Sequence, residues 1–367
     1  FAGLDPAESD VLRRGMSGKY RSREEFQRVK DRFFDNCKNL GHEDALTQEI
    51  WRQIESFAGY SFAKGHSASF AVESYQSMYL KAHFPMEFMV GVINNFGGFY
   101  RTEFYVQEAQ KDGAIVEAPC VNHSDALTTI SQTTIYLGLG LIKSLEARII
   151  QHIEAERRRG GPFSDLIDFT DRVSISLEQL VILIRIQAFR FTRKSKQALL
   201  WEAHFICNKR KSAKVNTSLF KSPAPKSYPI PDLHQDSRND MLDELDLLGF
   251  TIKPPFDLIN QNDIPEGVKL IKASEIPRYV NQEICIIGQL VTTKHSRTKR
   301  GDSMFFGTFL DEERNWIDTV MFPQIAAKNP FRGMGCYLIK GKVTEEFNFF
   351  TVEVVRMKKL GWWNASS

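Results

Sequence analysis

The sequence has few cysteines, no metal-binding spacing and no long apolar run, and each absence excludes a class of protein. Its cysteines number five and include no Cys-x-x-Cys pair, which argues against a disulfide framework or a zinc site. No apolar run approaches the roughly 20 residues that a membrane span needs, and the N-terminus lacks a signal-peptide pattern. We therefore expect reduced thiols, a cytoplasmic location and no membrane partner.

Paired catalytic carboxylates are also missing from the sequence. Two-metal chemistry on phosphates uses closely spaced carboxylates, but no Asp-x-Asp pair occurs. Asp240, Asp243 and Asp246 stand at helical spacing, and we interpret them as a solvated acidic face. This stretch of sequence is therefore predicted to bind no cofactor.

The patterns that are present divide the chain into a helical part and a strand-rich part. Apolar residues recur at helical spacing in most of the first 208 residues, and a Lys-, Ser- and Pro-rich stretch follows from Lys209 to Pro231. Short β-branched and aromatic runs then predict five strands: Glu283–Thr292, Met304–Leu310, Trp316–Phe322, Cys336–Thr344 and Phe349–Val355. The fold class predicted is a multidomain α+β protein, mostly helical, ending in an oligonucleotide-binding (OB) type β-barrel.

A glycine turn between helical segments carries the features of a phosphate contact. Gly138, Leu139 and Gly140 precede a helix, and Lys143 follows closely. Glycines let a backbone approach a phosphate, and a helix N-terminus offers free N–H groups. The helix ends in the cationic run Arg157–Arg159, which favours a helix-hairpin-helix that binds the DNA backbone. A tight connection without a ligand is the alternative.

A second polar cluster stands at another helix start. Lys64 and His66 flank Ser67, which is suited to cap the helix. The N-terminal end of a helix has free N–H groups and therefore favours anions, so these residues are candidates for phosphate or template contact. On residue types alone, simple capping with solvent-facing side chains is the favoured interpretation.

Longer motifs resemble one family. The stretch from Phe57 to Ala71, the stretch from Leu80 to Phe88 and the Leu-Arg-Arg-x-Met-like run Leu12–Met16 resemble the fingers of bacterial replicative DNA polymerase alpha subunits (family C). Gly138–Lys143 is similar to the helix-hairpin-helix of that family, and Leu247–Phe250 to the segment that leads into its barrel.

The resemblance implies roles for individual residues and for domains. It places Arg13, Arg14, Lys64, His66 and Ser67 near the incoming nucleotide or the template. The implied domains are fingers at 1–125, helix-hairpin-helix at 126–208, linker at 209–262 and barrel at 263–361. The palm carboxylates and their magnesium would precede Phe1, so we expect a part of a nucleotidyltransferase that is inactive alone.

The predicted linker holds a short apolar pair. The segment is Asn216, Thr217, Ser218, Leu219 and Phe220. Its Leu-Phe pair is similar to the motif by which the family engages the sliding clamp, although Asn216 departs from the usual Gln. A linker pair that folds back on the barrel is the alternative. The family usually has Gly at the position of Gln187, and this departure weakens a second hairpin as a phosphate contact.

The predicted barrel carries cations beside aromatic residues. Single-stranded nucleic acid is bound by stacking faces next to positive charge, and the candidates are Lys294, Arg297, Lys299, Arg300, Phe305 and Phe306. The cations are assigned to the first hairpin loop. Because Phe305 and Phe306 are adjacent in a strand, one of the two should face outward.

The expected partners are primer–template and single-stranded DNA, the sliding clamp, and other replisome or translesion subunits. Asn95–Tyr100 and Ala198–Trp201 resemble the error-prone paralogue, whereas the fingers motif fits the replicative enzyme as well, and the two classes stay open. The rival interpretation is a non-polymerase scaffold that joins helix-hairpin-helix and OB modules.

Overall fold

The computed structural model describes residues 1–16, 23–56, 64–213, 236–298 and 301–363, without the side chains of Arg23, Lys64 and 208–213. The chain divides into two compact units, Phe1–His83 and Phe84–Ser367. Each unit is described by itself below.

The first unit is helical. Its helices are α1 (Pro6–Met16), α2 (Arg23–Asn39), α3 (Asp44–Ser56) and α4 (Lys64–His83). Phe33 and Cys37 lie four residues apart on α2 and therefore share one face, which packs with Trp51 of α3 in a buried cluster. The described side chains of α4 are all exposed to solvent.

The second unit begins with a helical layer. Its helices are α5 (Pro85–Asn94), α6 (Thr102–Lys111), α7 (Ala147–Gly160), α8 (Leu166–Arg172), α9 (Leu177–Arg185), α10 (Lys196–Ala213) and α11 (Ser237–Leu247). A small sheet has the strands β1 (Ile115–Glu117), β2 (Thr129–Ser131) and β3 (Thr134–Tyr136). Phe163, Phe169 and Phe189 meet edge to face at the centre of the helical core.

A closed barrel follows. Its strands are β4 (Glu283–Arg297), β5 (Ser303–Leu310), β6 (Trp316–Met321), β7 (Cys336–Glu346) and β8 (Phe349–Lys359), and the short helix α12 (Pro323–Ala326) stands between β6 and β7. The strand order is β4-β5-β6-β8-β7, and β6 pairs with β8 in parallel. Five strands closed in this Greek-key order form an OB-type barrel, so the predicted fold class is confirmed.

Helix α6 joins the helical layer to the barrel. Phe104 packs with Val291 and Leu310, and Gln289 of β4 donates a hydrogen bond to the carboxylate of Glu103. Glu103 is only 7% exposed, and burial raises its pKa to about 7, against the opposing effects of Arg101 and of the Gln289 hydrogen bond. The contact between α6 and the barrel therefore contains a carboxyl group that titrates near neutral pH.

The acidic face of α11 differs from its prediction. Asp243 accepts from Arg185 at 2.7 Å and from Lys196 at 2.6 Å, and Asp246 also pairs with Arg185. Asp240 pairs with Lys196. The prediction of a solvated face holds for Asp246, whose side chain is 64% exposed, and is wrong for Asp243, because the cations of α9 and α10 reach Asp243 only in the folded chain.

Within the described part of the chain, no helix is both long and apolar enough to cross a membrane.

Candidate nucleic-acid interface

The glycine turn at Gly138–Gly140 is packed tightly against residues 125–128. A Cβ on Gly138 would lie 2.6 Å from the carbonyl oxygen of Ala126, so only glycine fits there. Leu139 N–H donates to the Asp125 carbonyl at 2.8 Å, and Gly140 N–H donates to Ala126 at 2.9 Å. Gly138 N–H donates to the Thr128 hydroxyl. These three N–H groups all have acceptors within the protein. A phosphate contact at this turn stays a prediction.

Lys143 is exposed but already has a partner. Its ammonium donates to the carbonyl of Asp246 at 3.2 Å and lies beside Gly249, which has a φ of +88°. A cation at the C-terminal end of α11 is favourable there, since that end carries exposed carbonyls.

The arginine run at the end of α7 is divided in its roles. Arg157 is 15% exposed and donates to Asp125 and to the carbonyls of Val121 and Ser124. Arg158 and Arg159 are exposed and pair with glutamates of their own helix. Only the last two arginines remain on the surface, so the predicted three-residue cationic run is not continuous.

A second anion-favouring place was not anticipated from the sequence. The N-termini of α7 and α9 lie beside an open pocket of about 450 Å³, whose lining residues are Arg148, Ile149, His152, Ser174, Ile175, Ser176 and Gln179. Gln179 links the two helix starts, because it accepts from Glu146 N–H at 2.8 Å and donates to the Ser144 carbonyl at 2.9 Å. Two helix N-termini beside an exposed arginine favour an anion. Ser176 before an apolar helical run was the available signal, since Ser is a preferred N-cap.

The polymerase-like residues of the first unit lie on two helices. Arg13 and Arg14 are on α1, where both pair with Asp10. His66 and Ser67 are exposed in the first turn of α4. Lys64 begins the same helix, and the motif residues 57–63 lie outside the described residues.

The barrel presents an outward face on strands β4 and β5. Lys294 pairs in register with Phe306, and Phe306 pairs with the buried Val320 of β6. Phe306 is exposed, whereas Phe305 packs with His295 and Phe331. The prediction that one of the two phenylalanines faces outward is confirmed, and it is Phe306.

The position of the barrel cations needed correction. Lys294 and Arg297 lie on β4 and not in a loop, because the hairpin ladder continues to the pair Arg297 and Ser303. Lys299 and Arg300 lie outside the described residues. At the other hairpin, Phe347 stands in the turn between β7 and β8 with its side chain fully exposed (101%) and a φ of +53°.

The predicted clamp motif, Asn216–Phe220, falls in 214–235, outside the described residues. The proposed domain boundaries and the residue roles assigned from the resemblance stay predictions.

Comparison with known proteins identifies relatives. A family model described as a helix-hairpin-helix motif matches residues 113–199. An error-prone DNA polymerase of Mycobacterium bovis is 36% identical over 206 residues, which cover 55% of this chain and 19% of the relative. A DNA polymerase III subunit alpha of Staphylococcus epidermidis is 29% identical over 334 residues, which cover 88% of this chain and 30% of the relative.

These matches confirm the resemblance to both classes of polymerase, although the chain spans only 19% and 30% of those two relatives. Among solved structures, the second OB-fold domain of replication protein A from Methanococcus maripaludis matches 25% of this chain and 94% of its own, at 16% identity and a TM-score of 0.20.

Proposed function

We propose that this chain is a DNA-binding region of a bacterial family C DNA polymerase, replicative or error-prone, which holds primer–template and single-stranded DNA for a catalytic palm elsewhere in the protein. The similarity to alpha subunits along 88% of the chain carries this proposal. Two surfaces of the second unit, one on the barrel and one on the helix-hairpin-helix region, support it.

The barrel face would bind the single strand. The side chains of Lys294 and Phe306 are cross-strand neighbours and both are exposed, so a cation stands next to an aromatic ring. The charge attracts the backbone and the ring stacks on a base, a combination that binds single strands with little sequence preference. The exposed ring of Phe347 lies on the β7–β8 hairpin, and OB barrels often use the loop at that place for binding.

The helix-hairpin-helix region would hold the duplex by its backbone. Arg148 is exposed at the start of α7. Within the described residues, its ion pair is with Glu146, two residues before it. His152 and Ser176 line the adjacent pocket. Contacts from helix N-termini and arginines fix the position of a duplex without reading its bases. In this proposal Lys143 assists by leaving the carbonyl of Asp246.

The remaining roles follow from the resemblance. Arg13, Arg14, Lys64, His66 and Ser67 would contact the nucleotide or the template, and Asn216–Phe220 would engage the sliding clamp. Tethering to a clamp raises the effective concentration of the enzyme at the primer end. Magnesium is implied for the intact polymerase. The described part of the chain contains no group of three or more His, Cys, Asp or Glu side chains that could hold a metal ion. The chain alone is proposed to be inactive.

The test is a titration of the chain with labelled single-stranded and duplex DNA across a salt series. We expect log affinity to fall linearly with log salt concentration, because bound cations release counterions from DNA. Lys294→Glu with Phe306→Ala should weaken single-strand binding, and Arg148→Glu should weaken duplex binding. Lys328→Glu changes the charge equally at an exposed residue after α12 and serves as the matched control.

Two outcomes would contradict the proposal. A folded chain that binds neither DNA at low salt would favour the non-polymerase interaction scaffold. Equal losses for Lys294→Glu and Lys328→Glu would show that net charge, and not a built barrel face, determines the affinity.

A further inference from the structure

The loop between α5 and α6 carries two almost fully exposed aromatic rings. Phe96 is 94% exposed and Phe99 is 84% exposed. Exposed apolar side chains of this size gain nothing from burial in the described fold. Together with Phe347, these two have the highest exposed fractions among the large apolar side chains of the described residues.

The backbone at Phe96 is in a conformation that glycine would adopt more readily. The Gly97 N–H donates to Val92 and the Phe96 N–H to Ile93, which is the hydrogen-bond pattern of a Schellman cap at the end of α5. Phe96 is therefore at the left-handed position of the cap, with a φ of +64°. A bulky residue is disfavoured there, and its exposed ring offers no packing in return. Such an outlier points to a function outside the fold.

The loop is held in one place. Gly98 lies close against the Tyr105 side chain, because a Cβ on Gly98 would be 2.6 Å from the Tyr105 hydroxyl. The same hydroxyl accepts from Tyr100 N–H at 3.2 Å, and Phe99 packs edge to face with Tyr100 at 5.1 Å. A clamped loop presents its rings with little entropic cost on binding.

Positive charge lies next to these rings. Arg101 follows the loop directly and donates to the carbonyl of Gly249 at 3.2 Å. Lys143 approaches the same glycine from the helix-hairpin-helix turn, with its ammonium 3.0 Å from the position of a Cβ there. Asp246 of α11 pairs with Arg185 at 2.8 Å, and Arg185 also pairs with Asp243. Arg101 and Lys143 bring two cations to this side of the loop, and these favour an anionic partner.

The loop also adjoins the proposed barrel face. Phe104, in the first turn of α6, packs on Val291 of β4 and Leu310 of β5. Leu310 pairs in register with Trp316, an exposed aromatic residue of β6. The loop directly precedes α6, so it lies within about one helical turn of this contact with the barrel.

We propose that Phe96 and Phe99 form a stacking platform for unpaired bases, which extends the single-strand path from the barrel toward the helix-hairpin-helix region. Arg101 and Lys143 would hold the phosphates of the same stretch. The bases of a duplex are already stacked on each other, so unpaired bases are the partner that two separate ring faces and two cations fit. This inference rests on the proposed single-strand binding by the barrel and adds a second contact to it.

The test uses the full chain and two lengths of oligonucleotide. One of about 10 nucleotides fits within a single OB barrel, and one of about 30 exceeds it. We expect Phe96→Gly with Phe99→Ala to weaken binding of the long oligonucleotide about tenfold and to leave binding of the short one within about twofold. Phe96→Trp, which keeps a ring, should retain most of the affinity.

Thermal unfolding separates a binding role from a structural one. Phe96→Gly relieves the left-handed backbone, so the melting temperature should not fall although affinity does. Gln132→Gly is the matched control, because Gln132 is exposed in the turn between β2 and β3 and also has a left-handed backbone, with a φ of +55°. It should stabilise the chain without changing DNA affinity.

The outcomes separate this inference from the function on which it depends. Failure of the short oligonucleotide to bind, or no effect of Phe306→Ala on it, would overturn the proposed function. Short-strand binding that depends on Phe306, with no effect of the loop variants on the long strand, would overturn the platform alone. A change of oligomeric mass in the loop variants without a change in affinity would assign the rings to self-association instead.

Discussion

The helix-hairpin-helix region and the barrel were both predicted to contact nucleic acid, but the predicted groups have partners within the protein in the first region and are exposed to solvent in the second. In the first region, the N–H groups of Gly138–Gly140 and the guanidinium of Arg157 satisfy carbonyls and hydroxyls of the protein itself. In the barrel, Lys294 and Phe306 remain exposed. Alternation along a strand decides which side chains face outward, whereas a helical region offers polar groups many partners that are distant in sequence.

The largest expected effect tests whether Arg157 is structural. Arg157→Ala removes donors to Val121, Ser124 and Asp125 and leaves the carbonyls without partners, so we expect a loss of about 4 kcal/mol in the free energy of unfolding. Arg158→Ala should cost less than about 0.5 kcal/mol. Urea unfolding measures both. If the two variants were equally stable, the division of the arginine run would be wrong.

The stability that the contact between α6 and the barrel contributes should depend on pH. The pKa of Glu103 is about 7 in the fold and ordinary in the unfolded chain, so the fold binds the proton more tightly. The stabilisation is complete below about pH 4.5 and declines as pH rises through about 7, by about 3 kcal/mol in total. Urea unfolding at acidic and alkaline pH measures it, and Glu103→Gln should remove this part of the pH dependence. An unchanged profile in that variant would contradict the burial argument.

The glycine turn gives a smaller effect on stability. Gly138→Ala places a methyl group 2.6 Å from the Ala126 carbonyl oxygen, and we expect a loss of about 2 kcal/mol from overpacking. Gly91→Ala, in α5 with open space around it, is the control and should be neutral or slightly stabilising. A tolerated alanine at 138 would mean that the turn can move away from residues 125–128, which would free its N–H groups for phosphate.

The smallest expected effect concerns the barrel. Phe306→Ala should weaken single-strand binding by about 1 kcal/mol, the lower range of one base-stacking contact. The residue is 40% exposed, so urea unfolding checks that the variant keeps its fold. Trp201→Ala, another exposed aromatic residue on α10, should leave the affinity unchanged. Fluorescence anisotropy with a labelled oligonucleotide distinguishes them. Equal effects would indicate nonspecific attraction by surface rings.

Local patterns anticipated much of the architecture. The predicted run Met304–Leu310 lies within β5, and Trp316–Phe322 covers β6 with one residue beyond it. The predicted β4 ended at Thr292, whereas the observed strand continues to Arg297. Its polar end looked like a loop because Lys, His and Ser are not typical of a buried strand, but the hairpin partner β5 supplies hydrogen bonds to this extension.

The amino-acid sequence by itself determined the periodicity of the helices, the alternation of the barrel strands and the similarity to the polymerases. These depend on neighbours in the chain, so no folded structure is needed to see them. Tertiary structure alone decided that Asp243 pairs with Arg185, that Lys143 and Arg101 meet at Gly249, and that Glu103 is buried against Gln289. Each joins residues far apart in sequence, and both the energy of a charge and its availability to a ligand depend on which partners the fold brings within hydrogen-bond distance.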